Sequence, residues 1–395
     1  MIELQNISKI FGNRQKDALQ LLQQNVSNEE IRKITGSVVA VRDATLRIPK
    51  DNITVIMGLS GSGKSTLLRC INLLIQPSAG HVYLDIESKG KLELTSLTTK
   101  TLLDIRRNHM AMVFQKFGLF PRRTVLSNVC FGLTLQKKNN IPPTAIKALE
   151  LVGLSEWANA YPSQLSGGMQ QRVGLARALA TDVEILLMDE AFSALDPLIR
   201  HNMHEELLSL QAELRKTILF VSHDLGEALR IGDQIVIMQG GQFVQKGKPE
   251  EIIMNPKTQY VKDFVKNADP SEVIRAETVC TKKEKLLRKD ENCYGYNENK
   301  NNYVFQLTSN GKLRGVSLNN VRELDIAEFE EQVSQKNERE IERILLSSCG
   351  SSVRELMEAM LYSSHPLVII SDSGEFIGIV TRKNILKTLL KKFGE

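Results

Sequence analysis

The nine residues Gly58-Leu59-Ser60-Gly61-Ser62-Gly63-Lys64-Ser65-Thr66 join small side chains to a single lysine and a run of hydroxyls. Small residues let a backbone curl until successive N–H groups face one anion. A lysine placed after them reaches the outer phosphates of a nucleotide, and a following hydroxyl holds Mg²⁺. The sequence therefore predicts a nucleoside triphosphate cradle: Gly58, Ser60, Gly61, Gly63 and Thr66 bind phosphate, Lys64 meets the β and γ phosphates, and Ser65 holds the metal.

Other residues complete a reaction centre. Asp189 follows the apolar run Ile185-Leu186-Leu187-Met188 and is a second Mg²⁺ candidate. Glu190 is placed to polarise a water for in-line attack on the γ phosphate. Gln115 follows another apolar run, Met110 to Phe114, and is a candidate to bond both metal and attacking water. His223 follows Thr217 to Val221 and is expected to contact the γ phosphate and orient Glu190. Ser166 and Gly168, in Leu165-Ser166-Gly167-Gly168-Met169-Gln170, precede a helix expected to begin near Met169, where free N–H groups favour phosphate. One nucleotide does not need two such cradles in one chain. The economical arrangement is a dimer, with Ser166 and Gly168 of one copy closing over the phosphate held by Lys64 of the other. Asp196 is then a candidate for communication across that dimer, or a plain turn before Pro197.

These groups must be carried by strand ends and helix starts. The run Ile53 to Met57 reads as a buried strand entering the cradle, and Leu67 to Cys70 as the helix leaving it. Helical periodicity fits Gln170 to Ala180 and Asn202 to Leu214. Apolar strands separated by helices predict a mostly parallel sheet covered on both faces. Between Phe11 and Val41, two short helices are expected at Ala18 to Gln23 and Asn28 to Ile34, with Ser27 and Glu30 forming a capping box. They serve as a surface pair or as a contact for a partner. After the helical stretch Tyr260 to Val265, Asn267-Ala268-Asp269-Pro270 reads as a linker. Beyond it, helix Val353 to Leu361, strand Leu367 to Ile370, turn Asp372 to Glu375, strand Phe376 to Val380 and helix Lys383 to Lys391 form one clear unit. Tyr303 to Leu307, Ser309 to Lys312 and Leu313 to Leu318 weakly echo it, suggesting a duplication.

The whole chain sets bounds. At 395 residues it suits two or three domains. Charged residues make up 25% and mean hydropathy is −0.18, as in a globular protein. No run of about 18 uncharged apolar residues predicts a membrane span, and Met1 to Gln5 has no signal-like core, so a cytoplasmic location is expected. Five dispersed cysteines give no metal or disulfide frame. The net charge of +5 permits an anionic partner without identifying one.

In this order the motifs resemble the ATP-binding subunit of an ABC transporter over residues 1–268. Gly58 to Ser65 is similar to Walker A, Gln115 to the Q-loop, Leu165 to Gln170 to the signature, Ile185 to Asp189 to Walker B, Ser193 to Asp196 to the D-loop, and His223 to the switch histidine. Phe11 matches the aromatic that stacks on adenine. The insertion Asp17 to Val41, Met112 to Phe117 and Met188 to Arg200 resemble more closely the glycine betaine/proline betaine importers. Residues 271–395 look like the tandem CBS module attached to some of these subunits, with Pro366, Gly374, Gly378 and Thr381 in the second unit. Asn384 stands where an adenosine-binding unit has a ribose-holding aspartate, which disfavours simple AMP or ATP sensing.

The fold class implied is α/β, an ABC-type P-loop ATPase domain followed by a smaller α+β tandem CBS domain. The resemblance implies ATP and Mg²⁺ as cofactors, with cyclic di-AMP or an anionic membrane surface as signals at the CBS module. Arg382, Lys383, Lys387, Lys391 and Lys392 would favour either anion, or form a solvated basic face. It implies as partners a second copy of the subunit, membrane permease subunits and a solute-binding protein, separate or fused to the permease, with no nucleic acid. The location implied is peripheral, at the cytoplasmic face of the cell membrane. Rival readings are an importer ATPase for an amino acid or polyamine, and a non-transport ABC ATPase.

Overall fold

A computed structural model describes residues 1–86, 89–193, 195–298, 301–319, 321–328 and 343–393, with side chains to 390. Ala194, within the D-loop match, and the side chains of Lys391 and Lys392 lie outside the described residues. The chain divides into two compact units, Met1–Lys266 and Asn267–Glu395.

The first unit holds two sheets. Strands β1 (Ile2–Phe11), β2 (Val38–Ile48), β4 (Ala79–Ile86) and β5 (Gly90–Glu93) form an antiparallel sheet in the order β2-β1-β4-β5. Strands β3 (Ile53–Met57), β6 (Met110–Val113), β7 (Ile185–Asp189), β8 (Thr217–Ser222), β9 (Gln234–Gln239) and β10 (Gln242–Gly247) form a second sheet in the order β10-β9-β3-β8-β7-β6. All neighbours from β9 to β6 run parallel, and only β10 is antiparallel. Every residue of β3, β7 and β8 is buried, which is why these strands read as unbroken apolar runs rather than as alternations. One core joins both sheets and the helix Lys64–Ile71, including Ile56, Leu67, Leu68, Val82 and Leu187.

Register aligns the functional edge. Met57 pairs with Ser222, Asp189 with Val221, and Val113 with Met188. The segments that follow β3, β6, β7 and β8 therefore leave the sheet on one side, the carboxyl edge where open α/β sheets bind ligands.

Two helices begin earlier than periodicity suggested. The helix expected at Gln170 starts at Gly167, and the helix expected at Asn202 starts at Pro197. In each, a cap residue supplies the missing acceptor: Ser166 Oγ accepts from Met169 N, and Asp196 Oδ1 accepts from Ile199 N. An N-cap starts a helix earlier than an apolar stripe reveals. The insertion folds as the helices Gln15–Gln23 and Asn28–Thr35, and Ser27 and Glu30 make a full capping box. Its apolar side chains pack with Ile10 and Val39 in a small core of their own.

The second unit is built on one sheet of nine strands. These are β11 (Thr281–Lys282), β12 (Leu287–Asp290), β13 (Cys293–Glu298), β14 (Asn301–Leu307), β15 (Leu313–Leu318), β16 (Arg322–Glu328), β17 (Arg343–Ser348), β18 (Leu367–Ile370) and β19 (Phe376–Val380). Their order is β11-β19-β18-β17-β16-β15-β14-β13-β12. The helix–strand–turn–strand–helix unit has the expected form, with helices at Val353–Tyr362 and Arg382–Phe393. Its echo keeps the strand pair β14–β15 but is preceded by the β12–β13 hairpin, not by a helix. The turns of the two strand pairs meet, since Phe376 N donates to Gly311 O and Lys312 bridges Glu375. The second unit is thus a mixed sheet with flanking helices. No helix of the described residues is long and apolar enough to cross a membrane.

Candidate functional site

The loop after β3 is a tight cradle. Gly58 has φ 150° and Gly63 has φ 99°, both strained for any residue with a side chain. A Cβ on Gly58 would collide with the Met238 carbonyl oxygen, and one on Gly63 with that of Ala40. Ser60 and Gly61 lie exposed at its rim, and Thr66 is half-buried on the helix. Lys64 is buried, and its ammonium donates to Gly58 O at 2.8 Å and Leu59 O at 3.1 Å. Burial pushes its pKa down, while Glu190 and Asp189 act in the opposite sense. The Ser62 hydroxyl is buried without a partner. A buried orphan oxygen and an ammonium resting on two carbonyls are what a phosphate group would satisfy.

Asp189 at the end of β7 is fully buried. Its Oδ1 accepts from Ser65 Oγ at 2.6 Å and its Oδ2 from Arg69 at 3.1 Å. The Ser65 hydroxyl and the Asp189 carboxylate stand together as oxygen donors, the chemistry a hard divalent cation such as Mg²⁺ prefers. Glu190 has φ 47°, a left-handed conformation uncommon for glutamate. Val221 O accepts from its N–H, and its own carbonyl accepts from Ser193. Its carboxylate then meets two of the other candidates. Gln115 Nε2 donates to Glu190 Oε2 at 2.8 Å, and His223 Nδ1 lies 3.5 Å from that same oxygen. The structure thus gathers Lys64, Ser65, Gln115, Asp189, Glu190 and His223 at one sheet edge.

The other candidates stand apart from this group. Ser166 is exposed at the start of its helix, and a Cβ on Gly168 would lie 3.0 Å from Leu195, next to Asp196. Arg177, on the same helix, donates to Phe117 O and Gly118 O, so the signature helix grips the loop that follows Gln115. Phe11, at the end of β1, is exposed with the Lys9 ammonium 5.1 Å from its ring centre.

Two contacts escaped sequence reading. Arg69 touches Asp189, and the Tyr260 hydroxyl accepts from Leu59 N at 3.3 Å. Arg69 lies one helical turn after Ser65, a spacing that would have flagged it. Tyr260 is 201 residues from its partner and carried no such signal.

Comparison with known proteins places this geometry. The ABC transporter family model matches residues 41–193. Over 395 residues the chain is 43% identical to the glycine betaine/carnitine transport ATP-binding protein GbuA of Listeria monocytogenes, covering 98% of this chain and 97% of that protein. The chain belongs to the ATP-binding subunits of glycine betaine/proline betaine family ABC importers. It is 39% identical to the glycine betaine/proline betaine transport ATP-binding protein ProV of Escherichia coli over 98% of this chain and 97% of ProV. With the glycine betaine transport protein OpuAA of Bacillus subtilis identity is 53%, over 70% of this chain and 68% of OpuAA. The dimeric structure of the bacterial ABC transporter cassette MJ0796 matches with a TM-score of 0.54 and 32% identity, over 63% of this chain and 99% of that one. This ABC subunit is an ATP-hydrolysing enzyme coupled to transport.

Proposed function

We propose that two copies of this subunit close two shared ATP sites beneath a membrane permease and so energise uptake of glycine betaine or a related quaternary amine. The observation that carries the catalytic half is the meeting of Gln115 and His223 on one oxygen of Glu190, beside Lys64 and Asp189. The names of the similar proteins carry the cargo.

Gly58, Ser60, Gly61, Gly63 and Thr66 line the phosphates, and Lys64 leaves its two carbonyls to meet the β and γ groups. Ser65, Asp189 and Gln115 would hold Mg²⁺, which when bound would supply charge neutralisation. Gln115 and Glu190 hold the attacking water in line. Glu190 takes its proton as the oxygen bonds to the γ phosphorus and the bond to ADP breaks. His223 contacts the γ phosphate and keeps Glu190 turned toward the water. Phe11 stacks on adenine. Ser166 and Gly168 of the second copy complete the anion site, and Asp196 lies at the junction between copies.

Permease contact is assigned to the groove beside the loop after Gln115, a space of about 460 Å³ lined by Leu103, Met112, Phe114, Phe131, Leu135 and Arg177. Its mostly apolar lining suits a short amphipathic helix. Arg177 would carry movement of that helix to the signature. The subunit would then sit peripherally at the cytoplasmic face of the membrane, served by a solute-binding protein.

Residues 271–395 are proposed as the tandem CBS regulatory domain of a 1–268 ATPase domain. The Asn384 amide is engaged within the fold: its Oδ1 accepts from Thr381 N, and its Nδ2 donates to Thr281 Oγ1. Arg382 donates to Met360 O. Lys383 and Lys387 remain exposed for an anionic membrane or cyclic di-AMP.

The test is reconstitution with the cognate permease and binding protein in vesicles, following uptake of glycine betaine, proline betaine, an amino acid and a polyamine. ATP-dependent uptake of the betaines alone is expected. Preference for an amino acid or polyamine would overturn the cargo. Repeating the assay across internal salt, with and without cyclic di-AMP and anionic lipid, tests the regulatory half; a response to none of them would overturn it.

A further inference from the structure

His204 is a charged-type residue where an apolar one would serve packing better. It lies on the helix Pro197–Leu214, where only Met203 and Leu207 are buried with it among the described residues. Its exposure is 5%, and its ring meets Phe192 edge-on at 5.4 Å between centroids. Nε2 lies 2.8 Å from Oε1 of Glu227, itself only 8% exposed. The other Glu227 oxygen accepts from the Ser222 hydroxyl, whose oxygen accepts in turn from Asp224 N at 2.9 Å. A buried carboxylate is costly unless hydrogen bonds satisfy it. Here both its oxygens are satisfied, one by His204 and the other by Ser222, the residue before His223.

The same helix reaches that segment a second time. Arg200 lies four residues before His204, hence on the same face. It contacts Asp224 Oδ2 at 3.5 Å and donates to Leu195 O at 3.0 Å. Leu195 is the residue against which Gly168 packs. Ser222 and Asp224 flank His223, so one helix face grips the loop on both sides. Yet the His223 side chain is 57% exposed and lies 3.5 Å from Glu190. Its own contact is loose.

We propose that His204 and Arg200 are positioning residues for His223. His204 acts through Glu227 and Ser222, and Arg200 through Asp224, so that a shift at Leu195 when the signature segment is engaged moves His223 relative to Glu190. This rests on the reading of His223 as the γ-phosphate contact. Neither residue touches nucleotide or reacting atoms.

The test is a double-mutant cycle in the full-length chain, measuring ATP turnover, KM and melting temperature. His204→Leu and Arg200→Gln are each made alone and with His223→Ala. Either single change is expected to lower kcat about tenfold with KM for ATP within about twofold, because the alignment of His223 with Glu190 matters more to the chemical step than to holding ATP. His204→Gln, whose amide still donates to Glu227, is expected to restore kcat to within about threefold of the original. In the His223→Ala background, both changes are expected to cost less than about twofold more. Full additivity in that background would overturn the proposal, as would a raised KM with unchanged kcat. Should His204→Leu fail to fold, Arg200→Gln and His204→Gln decide alone. A His223→Ala variant that turns over ATP at the original rate would instead overturn the underlying reading of His223, which keeps the two failures distinct.

Discussion

The two units use polar side chains for opposite ends. At the carboxyl edge of the first unit, Lys64 rests on two carbonyls, Ser62 Oγ has no partner, and Glu190 is touched by an amide and an exposed imidazole. These contacts are few and are replaceable by phosphate, metal and water. In the second unit, the polar groups of Thr381 and Asn384 are tied to each other, and Asn384 is tied further to Thr281. That knot starts the helix Arg382–Phe393 and fastens it to β11. The lesson is that a ligand site is recognised by polar groups left short of partners, and a structural motif by polar groups already paired.

This contrast can be broken by substitution. Ser166→Arg places a long cation at the surface a second copy must cover. Turnover by the full-length chain is expected to fall at least about 100-fold, while ATP binding to the isolated chain stays within about twofold; normal turnover would remove the shared site. Asn384→Ala should act the other way. It is expected to cost the second unit about 1–2 kcal/mol in denaturant unfolding, with ATP turnover within about twofold, and a loss of turnover without loss of stability would erase the distinction between the units. Ser27→Ala, at a full capping box, should cost about 1 kcal/mol of stability in the first unit. A change in transport with no change in unfolding would instead mark the insertion as a partner contact.

Legibility followed the same divide. The parallel core was readable because β3, β7 and β8 are buried on both faces and so appear as unbroken apolar runs. The catalytic candidates were readable because each stands immediately after such a run. The antiparallel sheet of β1, β2, β4 and β5 was less visible, since its strands alternate and β1 carries register shifts between Leu4 and Ile10. The His204–Glu227 pair was invisible, because its partners lie 23 residues apart on different helices and belong to no motif. In the second unit, the β12–β13 hairpin ahead of the echoed strand pair went unforeseen. Leu287–Asp290 is wholly exposed, so no burial pattern announced it.

The central claim is that Glu190 is the base of a site closed by a second copy. Glu190→Gln keeps the shape of the side chain and the hydrogen bond to Gln115 but cannot take the proton. The decisive measurement is the mass of the full-length variant by light scattering, with and without ATP and Mg²⁺, alongside its turnover. The account predicts turnover reduced at least about 100-fold and a persistent ATP-dependent dimer that disappears when Ser166→Arg is added. A Glu190→Gln variant that hydrolyses ATP at the original rate, or that stays monomeric with ATP bound, would contradict it.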